Sequence, residues 1–381
     1  NMSVIAPNIA SLLALLAYDI KNPSGKILPD RRVKKHFKFS TGDVQQASSG
    51  GFFWRETTGF LLIGQGHSQQ HKGDHVIAIR GTNTLADAVT DITAHSKSNE
   101  SGSLVHTGFQ TTFESFRDGL AKYLDKPEVL NSKGIIHCIG HSLGGALATL
   151  VANWVKTKYN KTVYLYTFGC PRVGYKDFAI KSSARIDKVY RCVHGSDPVP
   201  KVPVWPFCHV HINGNEYVPV REQGLNHKAH SMDTAPGYVN TTNYEQWDDM
   251  YSQTAGSMYQ RVILNYENRL QTTYSSHWAG KIAAALMTLI IDGGGTGLIA
   301  AIQAGGTTIA TAYDLMAKFA CDLANVVGFE EQLKGLLGHM IVFAGQPAVT
   351  VIKYTFSFIK WVFDITLARL YDNAKKAFRS V

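Results

Sequence analysis

A serine with glycines two positions away on either side is the part of this sequence with the clearest chemistry. The stretch Gly140-His141-Ser142-Leu143-Gly144 follows an apolar run, Gly134 to Ile139, and precedes a run of small and apolar residues, Ala146 to Val155. Glycine at both positions permits a tight, strained turn between a strand and a helix, which presents the serine hydroxyl. The pattern predicts a nucleophile elbow. Ser142 is then the nucleophile, and the Leu143 amide at the helix start is a donor to an oxyanion.

A serine nucleophile needs a histidine base and usually a carboxylate that orients the histidine. In the fold class that carries this elbow, the chain order is serine, acid, histidine. The acid is expected on a turn just after a later strand, which points to Asp197 in the stretch Val193 to Pro200. Asp187 precedes that strand and would lie at the wrong end of the sheet, and Asp177 fits the chain order alone.

The residues alone leave the base open among five histidines that follow the serine: His194, His209, His211, His227 and His230. The first precedes the acid. The next two lie in residues 207–218, which alternate like an edge strand, so both point to one face as a structural pair. No third metal ligand has a recognisable spacing from this pair, and no metal site is predicted. The last two occupy a polar loop, residues 224–233, from which a base can reach the end of the sheet.

The elements that must position these residues alternate between strands and helices. Strands are predicted at residues 52–64, 75–80, 134–139, 163–168 and 188–193, and helices at residues 9–17, 108–123 and 146–155. Alternation of this kind is typical of a mostly parallel sheet covered by helices on both faces. The fold class is therefore predicted to be α/β, with this domain occupying residues 2–274.

The sequence changes character beyond Tyr274. From Ile282 to Tyr313 the only charge is Asp292, but glycines interrupt both apolar halves before the roughly 18 to 20 residues that a membrane span requires. Residues 348–371 are predicted to form a helix that buries most of its circumference. Residues 275–381 are expected to form an apolar, mainly helical region.

Composition narrows the class of partner. The net charge of +9 is spread over the chain without a dense basic block, which argues against nucleic acid. It fits attraction to anionic surfaces such as phospholipid membranes, and it equally fits ordinary solubilising charge. Five cysteines without a C-x-x-C pair indicate buried thiols, although Cys192 and Cys208 would bridge a loop in an oxidising compartment. No cofactor motif is present. The first residues lack the basic leader and cleavage site of a secretory signal, so no cleavable signal is expected.

Several separate motifs together resemble one known family. They are Ile79-Arg80-Gly81-Thr82-Asn83, His106-Thr107-Gly108-Phe109, Gly140 to Gly145, Thr167 to Gly174 and Asp197-Pro198-Val199-Pro200. In this order they resemble the fungal-type class 3 lipases over residues 11–239. The resemblance implies an α/β-hydrolase fold and assigns the base to His230, the histidine followed by Ser231-Met232. It also implies that Thr82 is the second oxyanion donor, opposite Leu143.

The stretch Leu85 to Gly102 corresponds to the family's lid, which in many members is an amphipathic helix that opens at lipid. Here it carries Asp87, Asp91, His95, Lys97 and Glu100 with few large apolar residues. This composition does not favour strong interfacial activation. The apolar C-terminal region is expected to cover the site instead.

The resemblance implies a serine carboxylic-ester hydrolase, a lipase or phospholipase acting on membrane lipids or glycerolipids. Bacterial members with a non-catalytic extension include type VI secretion effectors, toxins that act at a target-cell membrane and are blocked by a cognate immunity protein. Export and such a partner are therefore expected. Two alternatives stay open: an esterase for soluble, feruloyl-type esters, which the polar lid favours, and a membrane-inserting module with secondary hydrolase activity.

Overall fold

A mostly parallel sheet forms the centre of the computed structural model, which describes residues 3–21, 27–39 and 60–381. Eight strands within these residues lie in the spatial order Phe37–Lys38, Leu61–Gly66, His75–Ile79, Ile136–His141, Val163–Phe168, Lys188–Cys192, Asn215–Tyr217 and Ser252–Thr254. The third to the seventh run parallel, and the outer strands are antiparallel. The predicted α/β class is confirmed. Residues 52–59 of the first predicted strand lie outside the described residues.

A second, smaller sheet is antiparallel and contains Ser96–Ser98, Leu104–His106, Gly174–Tyr175 and Phe207–Cys208. Helices cover the central sheet: Pro7–Leu16, Arg31–Lys34, Asn83–Thr90, Thr107–Leu124, Pro127–Leu130, Leu143–Tyr159, Lys176–Arg185 and Tyr238–Thr241. Short 3-10 turns are Ala17–Lys21, Gln69–His71, Val199–Lys201, His227–His230, Trp247–Asp249 and Tyr266–Gln271. The C-terminal helices are Ser276–Asp292, Thr296–Gln303, Ile309–Leu323, Glu330–Phe343 and Phe356–Arg379.

The last of these, hereafter the C-terminal helix, begins later and ends later than predicted. It spans Phe356–Arg379 rather than residues 348–371. The Thr355 hydroxyl accepts a hydrogen bond from the Phe358 amide and caps the helix start. Upstream, the Val351 amide donates to the Tyr266 hydroxyl at 3.1 Å, and residues 349–355 are not helical. An apolar pattern alone could not show that the Val351 amide is bonded to a distant side chain rather than within a helical turn.

One apolar core runs through both parts of the chain. A single cluster of buried residues includes Leu143 of the elbow, Phe113 of the covering helices and Phe363 of the C-terminal helix. Burial of this kind is what the apolar composition of residues 275–381 requires. The boundary at residue 274 stays a prediction, because the two parts share this core.

The predicted edge strand at residues 207–218 is wrong as a continuous element. It divides into Phe207–Cys208 in the small sheet and Asn215–Tyr217 in the central sheet. Between them, His211 and Asn213 have φ of 66° and 57°, which end an extended conformation. His209 and His211 therefore do not share a strand face.

Two further expectations concern the cysteines and the apolar C-terminal helices. All five cysteines are free, and Cys192 and Cys208 lie in different sheets, so the structure does not contain the bridge considered for them. Among the described residues, no single helix is long and apolar enough to cross a membrane. The pair Ser276–Asp292 and Thr296–Gln303 meets the criterion together, but its two halves are bent by 119°.

Candidate active site

Ser142 lies on the sharp turn that the flanking glycines predict. It follows the strand Ile136–His141, precedes the helix Leu143–Tyr159, and has φ 57° and ψ −130°. A side chain rarely adopts this conformation, and such strain is concentrated at functional sites. A Cβ on Gly140 would lie 2.2 Å from the Gly144 carbonyl oxygen, and one on Gly144 would lie 2.1 Å from the Ile79 carbonyl oxygen. Both glycines are therefore required for the turn to pack against the sheet.

The structure brings together the three side chains predicted for the triad. Ser142 Oγ lies 2.6 Å from His230 Nε2, and His230 Nδ1 lies 2.8 Å from Asp197 Oδ2. Since a carboxylate only accepts hydrogen bonds, Nδ1 carries the proton, and Nε2 is left to accept the serine hydroxyl proton. Asp197 and His230 are fully buried and Ser142 is 3% exposed. This geometry allows a proton to pass from the serine to the imidazole.

Three different elements at the carboxyl end of the sheet supply these groups. Asp197 lies on the turn after the strand Lys188–Cys192, as predicted, and its Oδ1 accepts the Val199 amide at 2.9 Å. His230 ends the 3-10 turn His227–His230, whose start is capped by the Asn226 side chain. The carboxyl ends of parallel strands meet at one edge, which explains why residues far apart in sequence converge there.

Gly169 is a residue of the site that sequence reasoning did not single out. Its φ is 56°, and a Cβ there would lie 2.6 Å from Asp197 Oδ2 and 3.0 Å from His230 Nδ1. Glycine at this position therefore leaves room for the histidine–aspartate pair. Its place within the motif Thr167 to Gly174 was the available signal, but the sequence does not show what the glycine faces.

The two predicted oxyanion donors lie on neighbouring segments. Leu143 is the first residue of its helix, where amides have no acceptor within the helix. Thr82 caps the helix Asn83–Thr90, and its hydroxyl accepts the Leu85 amide at 3.3 Å. Between the two segments, a Cβ on Gly81 would lie 2.5 Å from the Leu143 Cβ. Thr82 is thus held next to the elbow, with its hydroxyl already used in capping.

Tyr238 and His141 are two further contacts of the triad that the sequence did not reveal. The Tyr238 hydroxyl donates to Asp197 Oδ2 at 2.7 Å and accepts the His194 amide at 2.9 Å. Burial, together with the Asp197 charge, raises the pKa of Tyr238 well above its ordinary value, so the phenol keeps its proton. His141 stacks on His230 with ring centroids 4.6 Å apart. Burial lowers the pKa of His141 well below its ordinary value, so a neutral ring lies beside the base.

The remaining candidates lie elsewhere. Asp177 pairs with Lys181 and Asp187 with Lys156, both in ion pairs away from the serine. The His194 ring is occupied by the Ala229 carbonyl and the Thr241 hydroxyl. His209 Nε2 lies 2.7 Å from the Pro200 carbonyl oxygen, and the His211 ring contributes nothing to the triad. His227, at the start of the 3-10 turn, is partly exposed and does not contact Ser142.

A second cluster of histidine and aspartate lies at the amino end of the same strands. His71 Nδ1 and His137 Nε2 lie 2.9 Å and 3.1 Å from Asp74 Oδ2, and all three residues are buried. Their ligand atoms lie within 4.8 Å of one another, a spacing that a metal ion could bridge. No metal-ligand spacing is visible here in the sequence, because the strands Ile136–His141 and His75–Ile79 bring the residues together. Hydrogen bonds already account for the nitrogens that face Asp74.

Fold and side-chain geometry together define an α/β-hydrolase with a serine–histidine–aspartate arrangement. Residues 76–207 match the model of the lipase (class 3) family, which confirms the family resemblance for that segment. The segment contains Ser142 and Asp197 and ends before His230.

Individual relatives agree with this family. The chain is 30% identical over 165 residues to secreted mono- and diacylglycerol lipase A of Penicillium cyclopium, covering 43% of this chain and 52% of that protein. It is 36% identical over 121 residues to toxin TseL of Vibrio cholerae, covering 31% and 18%. It is 30% identical over 158 residues to the chloroplastic phospholipase A(1) DAD1 of Arabidopsis thaliana, covering 36% and 35%. The chain thus spans about half the length of the Penicillium relative, and less of the other two.

Proposed function

We propose that this chain is a serine carboxylic-ester hydrolase that cleaves acyl esters of membrane lipids or glycerolipids. The observation that carries the proposal is the unbroken relay from Ser142 Oγ through His230 to Asp197, with separations of 2.6 Å and 2.8 Å, on a strained elbow. A hydroxyl is a poor nucleophile at its free pKa, and a histidine in this position activates it.

The reaction follows from the positions of these groups. His230 takes the proton of Ser142 as the oxygen attacks the ester carbonyl, and Asp197 stabilises the imidazolium that forms. The amides of Leu143 and Thr82 hold the negative oxygen of the tetrahedral intermediate. Protonated His230 then gives its proton to the departing alcohol, which leaves the acyl group on the serine. Water activated by His230 hydrolyses this acyl-serine and restores the free hydroxyl.

Lipid rather than soluble esters are proposed on two grounds. The relatives over the matched segment are named as glycerolipid lipases and a phospholipase A(1). The net charge of +9 also favours accumulation at anionic membrane surfaces. The polar composition of residues 85–102 is the argument for a soluble ester, and the experiment below includes that outcome.

Mass spectrometry of the products from a mixture of phospholipids, diacylglycerols and aryl esters tests the proposal. We expect fatty acid release from the lipids by the wild-type chain. Ser142→Ala should lose it by a factor of about 10⁴ or more, since the nucleophile is removed. Ser98→Ala, an exposed serine on the small sheet, serves as the matched control and should keep full activity. Hydrolysis of aryl esters alone would favour the soluble-ester alternative, and lipid hydrolysis by pure Ser142→Ala would refute the assignment of the nucleophile.

We further propose that the chain acts as an exported antibacterial toxin at a target-cell membrane and is inhibited by a cognate immunity protein. The similarity to toxin TseL supports this role. Directing the wild-type chain to the periplasm of a bacterial host should stop growth and release fatty acids, and Ser142→Ala should do neither. Growth arrest by Ser142→Ala, with leakage of liposomes, would instead support a membrane-inserting module.

A further inference from the structure

The triad is closed off from solvent by the C-terminal end of the chain. His230 is fully buried, and the Phe378 ring meets the His230 ring edge to face with centroids 6.0 Å apart. Phe378 itself is 3% exposed. An ester bound for attack must have its carbonyl in contact with Ser142, with its acyl chain and alcohol beside it. A segment that covers the triad therefore has to move before a lipid can enter, and the end of the C-terminal helix is one such segment.

Phe378 belongs to a continuous buried face of the C-terminal helix. Ala374 and Ala377 are fully buried, and Ala374 lies one turn before Phe378 on the same face of the helix. Further back, the Tyr371 hydroxyl accepts the Val204 amide at 3.1 Å, and the Asn373 side chain donates to the Leu225 carbonyl and the Tyr274 hydroxyl. These contacts anchor the helix up to residue 373. The last turns beyond it make exposed polar contacts: Lys375 and Arg379 with Asp87, and the Val381 carbonyl with Lys21 Nζ at 3.4 Å.

An ion pair joins these last turns to the segment that corresponds to the family's lid. Asp87, on the helix Asn83–Thr90, accepts Arg379 Nη2 at 3.1 Å and lies 3.6 Å from Lys375 Nζ. The three side chains are 40% to 57% exposed. An exposed ion pair of this kind shifts an equilibrium by about two- to fivefold. The ion pairs with the C-terminal helix therefore explain why the polar lid carries a charge at Asp87.

We propose that residues 374–379 form a stopper over the triad, and that an anionic lipid surface releases it by binding Lys375 and Arg379 in place of Asp87. The last turns carry three cations, Lys375, Lys376 and Arg379. Each cation near an anionic membrane gains about fivefold in binding, so three gain on the order of a hundredfold. This exceeds the effect of the ion pairs to Asp87, and the membrane favours the open state to the extent that it binds these cations more tightly once the stopper is released.

This inference rests on the proposed hydrolase function and adds the surface that switches it on. Its test uses the full chain, a soluble ester such as p-nitrophenyl butyrate, and vesicles of ether-linked lipids that an ester hydrolase does not cleave. Anionic phosphatidylglycerol diethers are compared with zwitterionic phosphatidylcholine diethers. We expect anionic vesicles to raise the rate of the wild-type chain by about tenfold or more, and zwitterionic vesicles to have little effect.

Variants distinguish release of the stopper from simple binding of the chain to the vesicle surface. Phe378→Ala should give a high rate in buffer without vesicles, because the contact on His230 is lost. Asp87→Asn changes an exposed side chain, which makes it the second variant should Phe378→Ala fold poorly, and it should raise the buffer rate by about two- to fivefold. Lys318→Ala removes one exposed positive charge from another C-terminal helix and is the matched control, with a buffer rate like that of the wild type.

Hydrogen exchange of residues 374–381 provides a readout that does not depend on activity. Anionic vesicles should accelerate exchange there in the wild-type chain. Equal rates of ester hydrolysis in the wild type, Phe378→Ala and Asp87→Asn, with no vesicle effect on exchange, would overturn the stopper while leaving the hydrolase intact. Faster hydrogen exchange with anionic vesicles, but no ester hydrolysis by the wild type or any variant, would instead support the stopper and refute the hydrolase.

Discussion

Two buried histidine–aspartate pairs lie at opposite ends of the same parallel strands, and only one of them faces a nucleophile. At the carboxyl end, His230 bridges Asp197 and the hydroxyl of Ser142. At the amino end, His137 bridges Asp74 and the Tyr166 hydroxyl, at 3.1 Å on each side. Burial raises the pKa of Tyr166 well above its ordinary value, so this phenol remains protonated. The pair alone does not make a catalytic site, and the third group decides its role.

Both carboxylates are held by several donors, and Asp197 accepts from the Val199 amide, the Tyr238 hydroxyl and His230. Asp74 is surrounded by donors: the Ser3 hydroxyl, the Ile135 amide, His71 and His137. Burial alone would raise the pKa of Asp74. The hydrogen bonds from His137 and His71 lower it by more than burial raises it, so the pKa lies below its ordinary value. A carboxylate fixed by so many donors joins the segments around it. The amino-end cluster is therefore expected to stabilise the fold, whereas the carboxyl-end pair is the one proposed to serve catalysis.

Asp197→Asn is expected to give the largest effect of any change that tests this comparison. An amide at this position favours the wrong tautomer of His230, whose Nε2 would then carry the proton and no longer accept one from Ser142. We expect kcat for ester hydrolysis to fall by about 10⁴-fold while the melting temperature changes little. Activity within tenfold of the wild type, in a correctly folded protein, would show that the relay is not used.

Asp74→Asn is the corresponding change at the amino end and should give the opposite result. It removes one charge from a buried hydrogen-bonded cluster, so we expect the free energy of unfolding to fall by about 3–5 kcal/mol. Activity per folded molecule should stay within about twofold, since the cluster does not touch the triad. Denaturant unfolding monitored by circular dichroism, with kcat measured on the folded fraction, distinguishes the two results.

Acid titration provides a check on the same residue. The pKa of Asp74 is lower in the folded state than its unperturbed value of 3.8. The carboxylate therefore stabilises the folded state above pH 3.8, and this stabilisation is lost as the pH falls below 3.8. The wild-type chain should therefore lose stability relative to Asp74→Asn below about pH 4. A constant difference between the two proteins down to pH 2 would contradict this account of the amino-end cluster.

The same contrast explains what could be predicted from the sequence. The elbow, the acid and the alternation of strands and helices depend on local patterns and chain order, which the sequence displays. The family resemblance supplied His230, because no local pattern distinguished it from His227. The Phe378 contact and the cluster of His71, Asp74 and His137 depend on which distant segments the folded chain brings together. The prediction of a helix at residues 348–355 is wrong for a similar reason, since apolar spacing does not reveal a tertiary hydrogen bond.

Gly169→Ala should have the next largest effect at the carboxyl end. An added Cβ would lie 2.6 Å from Asp197 Oδ2, so the pair has to shift away from the position that reaches Ser142. Small displacements of catalytic groups cost about 100-fold in rate, which is the expected loss of kcat. Gly102→Ala is the matched control because Gly102 also has a positive φ, of 76°, but has no atom within 4 Å of an added Cβ. If both variants lose the same activity, backbone strain rather than contact with the pair is responsible.

Tyr238→Phe is the mildest change and tests whether this residue positions the acid. The variant keeps the ring and removes the hydroxyl that donates to Asp197 Oδ2. We expect kcat to fall by about tenfold, consistent with the loss of one hydrogen bond to a charged group. With one donor fewer, the Asp197 carboxylate should hold the imidazolium of His230 more strongly. The acid limb of the kcat profile should therefore move to higher pH, a change that loss of packing alone would not cause.

Tyr166→Phe is the control for this last prediction, because it removes the equivalent hydroxyl at the amino end. That hydroxyl lies 3.1 Å from His137 and also accepts the Ile5 amide at 3.0 Å. Its loss should lower the free energy of unfolding by about 1–3 kcal/mol through the unpaired amide, without moving the pH profile of kcat. A shift of the profile in Tyr166→Phe would mean that the two ends of the sheet are coupled, and the division between a catalytic pair and a stabilising cluster would then be wrong.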